Sequence, residues 1–364
     1  MQIAIPKRVM ELEPIINSFE IEGSIETIQK LNKGLINTTY LVSTKGRKYI
    51  FQSINTSIFK NIEAMMSNIE MVNEHLKSTD YKYETLAFIK TKSNTNLLFD
   101  STNTPWRCYT YIEHKNYDFS DLNNEIMEEY GKGIGHFHTC LTNFDANKIT
   151  DTIDDFHNTK KYYTDFKDAM QNAESKREEK VRESFAFIQQ FEDKFLQIGN
   201  LIKTEKIPFR VCHNDTKIDN ILFDTHSKKV KSIIDLDTIM CNSIIYDFGD
   251  AIRTSCNHAS ENERDISNVN FNFEFFKAFS KGYLKEAQSF ISKEEINLLS
   301  FSPILLTLEQ SMRFFTDYLT NDVYYTFDYP KQNLDRGLNQ LMLAKKMLLQ
   351  EKEMENYINS LSTS

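Results

Sequence analysis

This sequence encodes an α+β fold of two lobes: a small β-rich N-lobe, residues 1–112, and a larger helical C-lobe, residues 113–364. Three observations support that reading. The chain has 364 residues, long for one hydrophobic core, so two units sharing a cleft are expected. Its apolar spacing changes from strand-like to helical near Glu113. Residues 209–250, rich in His, Asp and Asn, then interrupt the helical half with short strands.

Residues 34–42 read as a turn followed by a strand, Lys45-Gly46 as the next turn, and residues 47–54 as the returning strand. Ile62, Met65, Met66, Ile69, Val72 and Leu76 recur at helical spacing, so a helix is expected over 61–77. Residues 83–90, 97–100 and 106–113 read as strands. Beyond them Leu122, Ile126, Tyr130, Ile134, Phe137 and Leu141 share one helix face, and a single long amphipathic helix is expected over 181–202. Helices resume near 271–286, 293–317 and 331–359.

Composition narrows the partners. Forty-three basic residues face 52 acidic ones, a formal charge of −9, and no Lys/Arg-rich run of nucleic-acid type occurs. Nucleic acid and anionic membrane surfaces are therefore excluded as partners. No stretch has the ~18 consecutive apolar residues of a membrane span, and the first residues lack a signal-peptide core. Cys108, Cys140, Cys212, Cys241 and Cys256 are scattered, with no C-x-x-C, as free thiols of a cytoplasmic protein would be.

The chemistry sits in two neighbouring motifs. His213-Asn214-Asp215-Thr216-Lys217-Ile218-Asp219-Asn220 has the H-x-D-x₄-N spacing of a kinase catalytic loop. Asp215 would orient and deprotonate a hydroxyl nucleophile, and Lys217 would neutralise charge on the transferring phosphoryl group. His213 reads as a structural brace. Next comes an apolar strand ending in Asp235-Leu236-Asp237, two carboxylates on one face. Mg²⁺ takes hard oxygen ligands, so Asn220 and Asp235 are the candidate metal ligands, with Asp237 on metal, water or substrate. Asp247 reads as a structural carboxylate bracing the catalytic loop. His136 and His138, at i and i+2 of a helix, do not share a face and read as structural or surface residues. Neither a G-x-S-x-G elbow nor a Walker A sequence occurs.

Nucleotide contacts are expected in the N-lobe. Gly34 and Asn37-Thr38-Thr39 lie in a turn between strands, where backbone N–H groups can approach phosphate. The third-strand position that carries Lys in protein kinases carries Gln52, a neutral donor. Lys48 or Arg47 could compensate, and Glu70 or Glu74 could stand where the helix glutamate does. Tyr111, Ile112 and Glu113 form the strand-like hinge where a nucleotide base would dock.

These residues resemble the aminoglycoside phosphotransferase and choline-kinase-like superfamily, and more closely its N-acetylhexosamine 1-kinases. The similarity runs through residues 34–40, 49–55, 155–159, 213–217, 234–238, 246–253 and 313–319. It implies a protein-kinase-like fold, ATP as co-substrate, Mg²⁺, and phosphorylation of the anomeric hydroxyl of a sugar such as N-acetylglucosamine or N-acetylgalactosamine. By the same similarity Asp215 is the base, Asn220 and Asp235 hold metal, and Thr238, Arg313 and Tyr324 line the sugar site with Asp215. Arg313 is a sound hydroxyl clamp on chemistry alone, since it offers several fixed donors. Two other readings stand: a kinase for another small hydroxyl compound (an aminoglycoside, choline or homoserine), and an inactive kinase fold that binds nucleotide or a partner.

Overall fold

The computed structural model describes residues 7–31 and 36–362. Gly34, expected in the phosphate turn, lies outside the described residues. After helix α1 (Lys7–Ile16) come β1 (Ile25–Leu31), β2 (Thr38–Thr44), β3 (Arg47–Ser53), α2 (Ile62–Lys77), β4 (Leu98–Phe99) and β5 (Pro105–Thr110). The strands form an antiparallel sheet in the order β1-β2-β3-β5-β4. Alternation along β3 and β5 sorts their faces. Tyr49, Phe51, Trp106 and Cys108 pack with Phe19 and Val42 in a small core. Gln52 and Arg107, paired across the two strands, therefore share the opposite face, toward the cleft.

The C-lobe opens with α3 (Asn124–Leu141), α4 (Thr159–Asn172), α5 (Ser175–Ile188) and α6 (Glu192–Lys203). The site-bearing block follows: β6 (Arg210–Cys212), β7 (Ile221–Phe223), β8 (Val230–Ile233), β9 (Met240–Asn242) and α7 (Ile244–Ser255). Then come α8 (Phe273–Ala287), α9 (Lys293–Leu299), α10 (Ser302–Leu319), α11 (Gln332–Leu348) and α12 (Glu351–Ser362). Strands β6 and β9 pair with each other, as do β7 and β8.

Helix α2 belongs to the N-lobe by sequence and to the C-lobe by packing. Met65, Ile69, Val72 and Leu76 join the large C-lobe core. Asn61 caps the helix by accepting from the Ala64 N–H, and Asn68 Nδ2 donates to the Thr150 and Ile239 carbonyls (2.7 and 3.1 Å).

Several expected elements differ. Residues 83–90 form no strand; isolated bridges tie Glu84 to Ser232 and Phe88 to Tyr109, so the segment crosses between lobes. The helix expected over 181–202 is broken by a 3-10 turn at Gln189–Phe191. The helix expected over 293–317 divides before Pro303, which fits the start of a helix but not its interior. Helices α1, α4 and α7 are additions to the expected set. His136 and His138 are both buried, so the surface alternative falls away.

Helices α3 and α8 cross where glycines let backbones touch. A Cβ on Gly131 would collide with the Phe279 carbonyl, and one on Gly282 with the Glu128 carbonyl. Gly131→Ala should thus cost about 1–3 kcal/mol, the usual effect of overpacking. Urea unfolding measures it; an unchanged midpoint would show that the crossing yields at no cost.

Candidate active site

The catalytic-loop candidate leaves β6 at Cys212 and is gripped by one buried carboxylate. Asp247, in the first turn of α7, accepts the backbone N–H of His213 at Oδ2 (2.8 Å) and of Asn214 at Oδ1 (2.6 Å). Its carbonyl accepts the Thr216 hydroxyl at 2.6 Å, and His138 Nε2 donates to Oδ2 at 2.8 Å. Burial alone would raise the Asp247 pKa, but these hydrogen bonds and the neighbouring imidazoles outweigh it and hold the carboxyl below its usual range. Asn214 takes a left-handed φ of +63°, which lets two successive amides face the same carboxylate. His213 braces the loop from its other side: Nε2 donates to the Ile234 carbonyl (2.9 Å) and Nδ1 accepts the Asp215 N–H (3.2 Å).

Asp215 and Lys217 meet directly, Nζ to Oδ2 at 2.7 Å. Asn220 Nδ2 donates to the same Oδ2 (3.1 Å) and to the Asp215 carbonyl (2.8 Å). Oδ1 has no hydrogen-bond partner among the described residues, and 26% of the side chain is open to the cleft. Desolvation by the cleft walls pushes the Asp215 pKa up. The Lys217 ammonium, His213 and Asn220 outweigh this, so the carboxyl sits below its usual range. Lys217 is raised despite burial, held by Asp215 and Asp235.

Asn220 stands just before β7 and Asp235 just after β8. Ile221 pairs with Ile233, so the hairpin brings both to one end. Asp235 has a left-handed φ of +61° and begins a 3-10 turn, Leu236–Thr238. Burial and the nearby Asp237 push its pKa up to about 6, marking a spot short of positive charge. A carboxylate so placed, beside an amide oxygen of Asn220 that accepts nothing among the described residues, fits a hard divalent cation.

The second carboxylate is differently engaged. Asp237 accepts Arg107 Nη1 at Oδ1 (2.6 Å), Arg107 Nη2 at Oδ2 (3.0 Å) and Asn37 Nδ2 at Oδ2 (2.7 Å). Gln52 donates to Thr39 Oγ1 (3.1 Å), and its Oε1 accepts Arg107 Nε and Nη2 (3.0 and 2.7 Å). Thr38 opens β2 opposite Ser53. Arg47 and Lys48 turn elsewhere, to Glu22 and Glu113. Glu70 accepts from Asn96, and α2 offers Met66 to the Arg107 guanidinium instead of a glutamate. In the hinge the Tyr111 N–H donates to Lys48, whereas the N–H groups of Ile112 and Glu113 make no backbone bond among the described residues.

The wall facing the catalytic loop is aromatic. The Arg313 guanidinium lies over Tyr162 (5.1 Å) and Tyr325 (5.7 Å), and Nη1 donates to Gln310 at 3.1 Å. Tyr324 packs edge-on against Tyr325 and is 62% exposed. Thr238 is buried, and its hydroxyl donates to the His213 carbonyl (2.7 Å). His157 links this wall to the loop. Nδ1 faces Glu309 Oε1 at 2.7 Å and Nε2 faces the Asn214 carbonyl at 3.0 Å. An imidazole donating from both nitrogens carries the extra proton. Burial opposes that charge, but Glu309 wins and raises the His157 pKa.

Sequence reasoning missed Arg107, His157, Glu309, Tyr162 and Tyr325. Arg107 left a usable signal, a charged residue between Trp106 and Cys108 in an apolar strand. His157 lies in the 155–159 segment that carries the family resemblance, without a role assigned to it there, and the other three are joined to the site only by the fold.

Residues 27–273 match the sequence profile of the family described as APH, phosphotransferase enzyme family. The chain belongs to the phosphotransferase enzyme family. Asp215, Asn220, Asp235 and Asp247 lie inside the matched span, and Arg313 and Tyr324 beyond it. The fold of these phosphotransferases recurs in solved structures. An amicoumacin kinase in complex with AMP-PNP, Ca²⁺ and Ami has a TM-score of 0.63 at 14% identity, over 96% of this chain and 93% of its own. A microcompartment-associated aminopropanol kinase gives 0.63 at 13% identity, over 94% and 98%. An aminoglycoside phosphotransferase from Alicyclobacillus acidocaldarius gives 0.62 at 13% identity, over 99% and 98%.

The His157–Glu309 pair carries a pH signature. Its stabilisation is full below the unfolded imidazole value of about 6.5 and is lost as pH rises through the raised folded value. His157→Gln should therefore lower Tm most at mildly acidic pH and progressively less as pH rises. Thermal melts across that range test it; parallel curves for the two proteins would mean that folding leaves the His157 pKa unshifted.

Proposed function

We propose that this phosphotransferase moves the γ-phosphoryl group of ATP to the anomeric hydroxyl of a sugar, best an N-acetylhexosamine, giving the sugar 1-phosphate. The observation that carries the reading is Asp215: one oxygen is held by Lys217 and Asn220 and the other is open to the cleft. Oδ1 would accept the acceptor's O–H, orient it in line with the γ-phosphorus, and receive its proton as the bond forms. Lys217, now beside Asp215, is within reach of charge on the transferring group. Asn220 and Asp235 would hold Mg²⁺, which supplies charge compensation to the phosphates. The base would dock on the Ile112 and Glu113 amides. Five free thiols and the lack, among the described residues, of any helix able to cross a membrane accord with a cytoplasmic enzyme.

Two features favour a neutral sugar. A carboxylate held below its usual range is a weak base, and the anomeric hydroxyl is the most acidic that a sugar offers. The faces of Tyr162 and Tyr325 are already occupied by Arg313, so they give no aromatic box to a ligand ammonium and instead present guanidinium donors to hydroxyls. One observation favours the alternative, an amino-alcohol acceptor. Asp250 spends Oδ1 on Arg253 (2.9 Å), while its buried Oδ2 has no partner among the described residues, and its field reaches Lys217 and His157.

A panel of free sugars, their methyl glycosides, amino alcohols and aminoglycosides, read by ADP formation, tests the reading. Turnover is expected with a reducing N-acetylhexosamine and none with its methyl glycoside. Turnover of the glycoside, or of amino alcohols alone, would overturn the sugar assignment. Asp215→Asn should keep nucleotide binding and lose about 10²–10⁴-fold in kcat; near-parent turnover would remove Asp215 from the mechanism.

A further inference from the structure

The usual cleft of this fold sets a third-strand lysine against a helix carboxylate. This chain has Gln52 and Met66 at those two places, with a cation one strand over. Arg107 on β5 pairs in register with Gln52 on β3 and is only 3% exposed. Its guanidinium donates Nε and Nη2 to Gln52 Oε1, Nη1 and Nη2 to the two oxygens of Asp237, and Nη1 to Met66 Sδ (3.8 Å). A guanidinium has five N–H groups, so every donor is taken and none is left for a phosphate oxygen. Asp237 in turn receives three donors, two from Arg107 and one from Asn37, which itself accepts the Asn55 N–H at 3.0 Å.

These contacts lie across the two lobes. Arg107, Gln52, Asn37 and Asn55 belong to the N-lobe sheet and its edges, whereas Asp237 sits two residues beyond Asp235 in the same 3-10 turn. Fixing Asp237 fixes the turn, and the turn fixes the direction in which Asp235 leaves β8. The Arg107 charge is also felt by Asp235.

We propose that Arg107 and Asp237 are a positioning pair for phosphoryl transfer. Arg107 takes over the lysine's work of joining the sheet to the metal-binding end of the cleft, and Asp237 acts as its counter-ion and not as a metal ligand. The proposal rests on the phosphotransferase reading. It reverses the usual arrangement, with the cation on the sheet and the carboxylate on the metal-binding turn. Lobe closure and the aim of Asp235 thereby become one event.

The test uses the full chain, Mn²⁺ as the metal probe and AMP-PNP as the nucleotide, with bound Mn²⁺ read by electron paramagnetic resonance. Asp237→Asn keeps the shape of the side chain, removes its charge and turns one of the two acceptor oxygens into an N–H donor. It should bind Mn²⁺ with AMP-PNP as the parent does, while kcat falls by about 10–100-fold, the usual effect of losing an outer-shell partner. Asp235→Asn should lose the Mn²⁺ signal. Hydrogen exchange should rise at residues 235–238 in both Arg107→Lys and Asp237→Asn and stay unchanged in α3 and α8, separating lost positioning from global unfolding. The double variant should be no slower than the worse single one, because both remove the same link. Loss of Mn²⁺ binding in Asp237→Asn comparable to that in Asp235→Asn, or additive effects in the double variant, would overturn the proposal. A parent protein that binds no Mn²⁺ with AMP-PNP would instead overturn the phosphotransferase reading itself.

Discussion

A single buried carboxylate organises the site. The Asp247 carboxylate gathers two consecutive amides of the Asp215 loop and the His138 imidazole of α3, and its backbone carbonyl takes the Thr216 hydroxyl. An unpaired charge at that depth would be strongly unfavourable, so the loop is stable only in the conformation that satisfies it. This is why Asn214 tolerates a left-handed backbone and why His138, on α3, is buried beside it. Asp215 then leaves one oxygen without a partner among the described residues, as its proposed role as base requires.

The cleft divides its charges into two sets. At the metal end, Asp235 is pushed up toward neutral pH by burial and by Asp237, and Arg107 answers part of that negative charge from the sheet. Elsewhere in the C-lobe Arg313 sits between tyrosines, and Asp250 keeps one oxygen without a partner among the described residues. Helix α2, anchored on the C-lobe core, also meets the sheet's Arg107 through Met66 Sδ, beside the Arg107–Asp237 contact.

Much of this was legible in the sequence because it is local. The H-x-D-x₄-N and D-x-D spacings define a loop and a strand end whose chemistry needs few distant partners, and the switch from strand to helix period outlines the lobes. What was illegible is long-range. Arg107 meets Asp237 across 130 positions and His157 meets Glu309 across 152, and no local pattern pairs them. Helix breaks were hidden for a related reason: apolar spacing runs on through Gln189–Phe191 and through Ser300–Pro303, although the backbone turns there. The strand expected at 83–90 has the right composition, but its hydrogen bonds are divided between the lobes. Gln52 is the instructive case. Its neutrality looked like a missing charge, and the charge proved to be on the neighbouring strand.

The account stands or falls on which atom of the acceptor receives phosphate. Phosphorus–proton correlation NMR on the product formed from ATP and N-acetylglucosamine or N-acetylgalactosamine reads this directly. The account predicts a phosphomonoester whose phosphorus couples to the anomeric proton, with the reducing end blocked. Coupling to a ring or methylene proton at another carbon, with the anomeric centre still free, would contradict it.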